Sequence, residues 1–252
     1  MCGISGVVGL NNISEALSQG IRNLEYRGYD SCGIALIKKN NLVVRKNTGG
    51  VDEFFRKNDI LSEKSTIGIA HTRWATHGSV THENSHPFMS CDEAFAVVHN
   101  GIISNYRLLR EDLIGEGHKF YSETDTEVIP HLLEKYYKKY KNVETAFLST
   151  LNILEGTFAI VLISSYHPGQ IFCARRESPL MIGIGDEQKF VGSDFNAFID
   201  YTKNAIIIED GEYAIISRDS YVVKSFLTRE EIVKSITKIE WDSETAKKGG
   251  YP

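Results

Sequence analysis

Cys2-Gly3-Ile4-Ser5-Gly6-Val7-Val8-Gly9 stands directly behind Met1, and its reading sets the fold. Cys2 to Val8 is apolar and glycine-rich, the signature of a buried strand. Removing Met1 would leave a thiol and a free α-amine on one carbon, a nucleophile with its own base. A thiol ionises near pH ~8.5 and an α-amine near ~7.7–8.0, so close to neutrality the amine is partly free to accept the thiol proton. Read alone, Cys2 is better taken as a small core residue, since free cysteine is among the most buried residue types. The rest of the chain has to decide.

Outward from that strand, Ile13, Leu17, Ile21 and Leu24 recur at helical spacing. Cys32 to Ile37 and Leu42 to Arg45 read as a hairpin turning at Lys39-Asn40-Asn41, with further strands at Ile67 to His71 and Phe95 to His99. Helices are expected over Ser104 to Ile114, closed near Gly115 or Gly117, and over Asp125 to Tyr140. From Thr157 onward the pattern is nearly all strand. Strands in both halves with helices grouped between them point to an α+β layered domain. After Trp241 the chain turns polar and then glycine-rich, as interdomain connections often are.

Composition removes several classes of function. The 252 residues carry 28 Lys and Arg against 33 Asp and Glu, a net charge of −5 with no basic footprint for nucleic acid. No apolar run approaches the ~20 residues of a membrane span, and the start lacks a secretory pattern, so no membrane partner and a cytoplasmic location are expected. The four cysteines, Cys2, Cys32, Cys91 and Cys173, form no Cys-x-x-Cys pair, and the last three read as buried or incidental thiols. His71, His82, His86 and His99 lack a completing carboxylate or thiolate at a familiar spacing, so no metal is expected.

Four further segments hold more polar residues than a packed core needs: Tyr26-Arg-Gly-Tyr-Asp-Ser31, His71-Thr-Arg-Trp-Ala-Thr-His-Gly78, His99-Asn-Gly101 and Ser122-Glu-Thr-Asp-Thr-Glu127. Singly, each has an ordinary explanation. Asn-Gly is a common turn, Thr124 or Asp125 suits a helix cap, and Arg27 with Asp30 suits a surface pair.

Together with Cys2-Gly-Ile they resemble the glutaminase domain of glutamine–fructose-6-phosphate aminotransferase, a class II glutamine amidotransferase. The resemblance runs along the whole chain, with residues 1–240 as the glutaminase domain and 241–252 as the start of a linker to a sugar-isomerase domain absent from this chain. It implies an N-terminal nucleophile hydrolase fold, a four-layer αββα sandwich. It also implies L-glutamine as substrate, no cofactor, a synthase partner in cis or in trans, and room for a homo-oligomer.

Glutamine hydrolysis needs a nucleophile, a base, oxyanion donors and anchors for the amino-acid end. By resemblance Cys2 supplies the first two, the Asn100 side chain and the Gly101 N–H hold the oxyanion, and Arg27 orients Cys2. Arg73 anchors the carboxylate through its planar fork. Asp125 pairs with the ammonium, Thr76 and His77 contact glutamine, and Trp74 covers the site. His99 reads as a positioning or core residue, and the resemblance leaves a coupling role for His86 open. Two alternatives remain: the glutaminase half of a phosphoribosyl-pyrophosphate amidotransferase or asparagine synthetase, and a non-catalytic glutamine-sensing module.

Overall fold

The computed structural model describes residues 2–75 and 78–240. Thr76, His77 and the expected linker at 241–252 lie outside the described residues. Among the described residues the chain forms two antiparallel sheets. The first contains β1 (Gly3–Gly9), β2 (Ser31–Lys38), β3 (Asn41–Thr48), β4 (Ile67–Arg73), β9 (Met181–Ile184), β10 (Gln188–Gly192), β11 (Asn204–Ile207) and β14 (Thr237–Lys238). Its strand order is β14-β11-β9-β10-β1-β4-β2-β3. The second contains β5 (Phe88–Met89), β6 (Phe95–Ile103), β7 (Gly156–Ser164), β8 (His167–Arg176), β12 (Glu212–Ser217) and β13 (Tyr221–Ser225), in the order β13-β12-β8-β7-β6-β5.

Side chains alternate between the faces of a strand, and this sorts the core into three layers. Ile4 and Val8 of β1, Ile67 and Ile69 of β4, Ala96 and Val98 of β6, and Ala159, Val161 and Ile163 of β7 pack together between the sheets. Val7 and Ala70 face the other way, onto α1 (Ser14–Asn23) and α2 (Val51–Lys57). Phe95, Val97, Phe158 and Ile160 face α3 (Tyr106–Gly115), α4 (Val128–Tyr140) and α5 (Val143–Ile153). The result is the expected αββα sandwich. β1 is buried at every residue because it is central in its sheet and covered on both faces.

The expected hairpin, first helix and central strands are present with shifted ends. Two strands run past the expected stops: β4 continues through Arg73, and β6 continues through Asn100-Gly101 to Ile103. Asn100-Gly101 is therefore not a turn, because Asn100 pairs with Ala159 and Gly101 with Phe158 across β7. Helix α4 starts at Val128 rather than Asp125, since neither Thr124 nor Asp125 caps it. Asp125 Oδ2 instead accepts the Ile103 N–H at 2.7 Å. Helices α2 and α5 were not expected. The first has only seven residues, too short for a periodic signal, and the second is capped by the Asn142 side chain accepting from Thr145 N at 2.8 Å.

Candidate active site

Strand parity brings the polar residues to one rim of the sandwich. The alternation that aims Ile4 and Val8 between the sheets carries Cys2 to the same side. On β4 it carries His71 and Arg73 behind Ile67 and Ile69, and on β6 it carries Asn100 behind Ala96 and Val98. Where the apolar filling ends, a cleft opens, lined by Cys2, Arg73, Trp74, Asn100, Gly101 and Asp125.

Cys2 is held from both sheets. Its carbonyl oxygen accepts from Asn100 Nδ2 at 3.0 Å and from Arg27 Nε at 3.1 Å. Its Sγ accepts from Trp74 N at 3.3 Å. Burial pushes the Cys2 thiol up, against the pull of the Trp74 N–H and the Arg73 and Arg27 charges. Burial thus disfavours the thiolate, so a proton acceptor beside the sulfur would favour its reaction.

The second layer fixes these partners. Arg27 Nη1 pairs with Asp194 Oδ2 at 2.9 Å, and the same oxygen accepts the Tyr26 hydroxyl at 2.9 Å. Arg27 is thus paired with Asp194 rather than Asp30. Asp30 Oδ2 accepts the Ala75 N–H at 2.8 Å, and Asp30 N donates to Arg73 O at 3.0 Å, so the 26–31 turn clamps the end of β4. Gly28 permits this contact, since a Cβ there would stand 2.7 Å from the Arg73 carbonyl carbon. On the other side His71 Nε2 lies 3.0 Å from Asn100 Oδ1. Because Asn100 Nδ2 donates to a carbonyl, Oδ1 faces the ring and His71 carries its proton on Nε2. Burial drives the His71 pKa down to about 3, so the ring stays neutral and keeps that tautomer.

Gly101 has φ +133°, and a Cβ would lie 2.1 Å from Thr157 O. Only glycine fits, and it leaves the backbone beside the cleft uncovered. Arg73 is buried, with Nη1 3.3 Å from Ser79 O. Glu123 Oε2 accepts Ser79 Oγ and Asn84 Nδ2, each at 3.0 Å, which ties the segment after Gly78 to the loop carrying Asp125. Trp74 stands 44% exposed with its ring 5.6 Å from that of Tyr29, so it edges the cleft rather than sealing it.

The structure thus gathers Cys2, Arg27, Arg73, Trp74, Asn100, Gly101 and Asp125. The sequence reading missed the positioning contacts of His71 and Asp194. His71 sits in a quoted motif, and only strand parity aims it at Asn100. His99 is buried, with Nδ1 2.9 Å from Thr126 Oγ1. His86 stacks on His71 at 4.0 Å between ring centroids. The histidines weighed as metal ligands do not converge as a donor set, whereas Cys91, read as incidental, joins His118, His131 and Glu134 in a separate cluster.

Two sandwiched antiparallel sheets with a cysteine at the head of a central strand define the class, the N-terminal nucleophile amidotransferases. Residues 71–200 match the family model for the glutamine amidotransferase domain, and the chain belongs to that family. It is similar over its full length to glutamine–fructose-6-phosphate aminotransferases. The Pyrococcus horikoshii relative is 43% identical over 251 residues and the Thermococcus kodakarensis relative 44% over 252. The chain spans 42% of the length of each. Among solved structures, the glutamine phosphoribosylpyrophosphate amidotransferase of Bacillus subtilis superposes with a TM-score of 0.78 at 26% identity, over 89% of this chain and 49% of that one. A glutamine aminotransferase class-II domain protein from Silicibacter pomeroyi shares the fold, with a TM-score of 0.62 at 15% identity, over 89% of this chain and 99% of that one.

Proposed function

We propose that this chain hydrolyses L-glutamine to L-glutamate and ammonia with Cys2, freed of Met1, as the nucleophile. The observation that carries the reading is the meeting of Cys2 with Asn100 and Gly101 from the opposite sheet, beside Arg73 and Asp125, in one cleft. The α-amine takes the thiol proton, and Sγ attacks the side-chain amide carbon. The tetrahedral oxyanion is held by Gly101 N–H and the second Asn100 Nδ2 hydrogen, the first being given to Cys2 O. Collapse breaks the C–N bond, and the amine returns its proton to leaving ammonia. Water then attacks the thioester, giving glutamate and the free thiol.

Arg73 supports the substrate carboxylate and Asp125 the ammonium. Thr76 and His77 remain contacts implied by the family resemblance alone. Trp74 shields one edge of the cleft.

The greater identity to fructose-6-phosphate aminotransferases than to the phosphoribosylpyrophosphate enzyme favours one acceptor. Ammonia passes to a synthase partner, in cis or in trans, that converts fructose 6-phosphate to glucosamine 6-phosphate. Residues 1–240 form the glutaminase domain and 241–252 begin the linker. No helix among the described residues is long and apolar enough to cross a membrane. The free thiols fit a reducing cytoplasm.

Intact mass spectrometry before and after 6-diazo-5-oxo-L-norleucine, a glutamine-analogue electrophile, tests the reading. The expected result is a mass lacking Met1 and a single adduct mapped to Cys2. A Met1-free protein that forms no adduct and releases no ammonia from glutamine would leave the sensing-module alternative in its place.

A further inference from the structure

Away from the cleft, three segments send side chains to one point. Cys91 lies in the turn between β5 and β6, His118 follows α3, and His131 and Glu134 share one face of α4 at i, i+3 spacing. The thiol sulfur, one nitrogen of each ring and one carboxylate oxygen all lie within 4.8 Å of one another. Cys91 Sγ is 3.5 Å from His131 Nδ1 and 3.8 Å from His118 Nδ1, and His118 Nδ1 is 3.8 Å from Glu134 Oε2. Four ligands at ordinary zinc bond lengths form a tetrahedron with edges of about 3.3–3.6 Å, so small movements close these atoms around an ion.

We infer that Cys91, His118, His131 and Glu134 form a binding site for a divalent transition metal, with zinc the best match to the donor set. One thiolate, two imidazoles and one carboxylate are the ligand types that zinc takes in tetrahedral sites. The surroundings are those of a supported site. Glu134 Oε2 is oriented by Cys91 N at 2.7 Å, and Oε1 is paired with Lys138 Nζ at 2.5 Å. Lys119 N donates to Cys91 Sγ at 3.3 Å, as suits a thiolate. His131 is buried, and its far nitrogen Nε2 has no hydrogen-bond partner among the described residues but lies 3.9 Å from Glu127 Oε1, a carboxylate placed to steady a ligating ring. Binding exchanges the Cys91 thiol proton, released to water, for a metal–sulfur bond. No redox change is involved. The ion would staple the β5–β6 turn and the segment after α3 to α4, next to the residues that lead into Asp125.

The test uses the full chain carrying Cys2→Ser, which removes the nucleophile as a competing ligand; Cys32 and Cys173 are buried. The protein is stripped with a chelator and titrated with zinc alone and with cobalt alone. The expected result is about one equivalent bound, a tetrahedral cobalt spectrum with a thiolate charge-transfer band, and a higher melting temperature with zinc. Cys91→Ser and His118→Gln should each weaken zinc binding by at least ~10-fold while circular dichroism stays unchanged. If Cys91→Ser misfolds, His118→Gln supplies the comparison. No thiolate–cobalt band, or zinc affinity unchanged in the folded variants, would overturn the assignment. Neither readout depends on glutamine hydrolysis.

Discussion

Cys2 owes its placement to hydrogen-bond donors from neighbouring segments. Arg27 and Asn100 converge on its carbonyl from opposite sides, and the Trp74 N–H meets its sulfur. Burial disfavours its thiolate, so activity should follow a neighbouring base rather than the thiol itself. Cys2→Ser is expected to reduce ammonia release to near background, because a serine hydroxyl is a far weaker nucleophile near neutrality; full activity would refute the role. Arg73→Ala should raise the KM for glutamine by at least about 10-fold, since a charged hydrogen bond contributes ~1.5–3 kcal/mol, with a smaller effect on kcat. An unchanged KM in steady-state assays would remove Arg73 as the carboxylate anchor.

Strand β6 joins fold and site more directly than any other element. Its first half fills the core with Ala96 and Val98, and its second half presents Asn100 and Gly101 without leaving the register with β7. Gly101→Ala should therefore damage both. Its positive φ alone costs a non-glycine residue about 1–3 kcal/mol, and the Thr157 carbonyl blocks the added methyl. Denaturant unfolding should show a loss above ~2 kcal/mol, accompanied by collapse of kcat. Equal stability and turnover would contradict the geometry. This strand also marks how far the sequence could be read. The apolar run to His99 was legible, but its continuation was hidden because Asn-Gly signals a turn when read locally. Thr124-Asp125 likewise reads as a cap, yet Asp125 serves Ile103, 22 residues away. The motifs named the cleft residues. The supporting pairs, Arg27 with Asp194 and His71 with Asn100, span 167 and 29 residues; the first forms only when the first sheet assembles and the second only when the two sheets stack.

At the scale of the whole sandwich, His71 and His86 are buried near the rim of the inter-sheet core, and His99 is buried on the helical side of β6 against Thr126. Burial holds all three below the ordinary histidine value, His71 at about 3 and His86 well below 6.5. In the unfolded chain each takes up a proton near pH ~6.5. Between that value and its folded pKa the unfolded state therefore binds more protons, and stability must fall as pH falls. Above pH ~6.5 these groups contribute no slope. Each unit of pH below a histidine's unfolded value costs about 1.4 kcal/mol until the folded ring also protonates. The melting temperature should thus be nearly level from pH 8 to 7 and decline from about 6.5 downward, before most carboxylates titrate near ~4.3. His86→Leu isolates the effect, because among the described residues neither ring nitrogen of His86 has a hydrogen-bond partner and its ring lies between those of His71 and Phe88. Removing that ring should lessen the decline between pH 6.5 and 5 by about one proton's worth of slope. Melting curves that fall in parallel for both proteins would show that His86 does not couple protonation to folding.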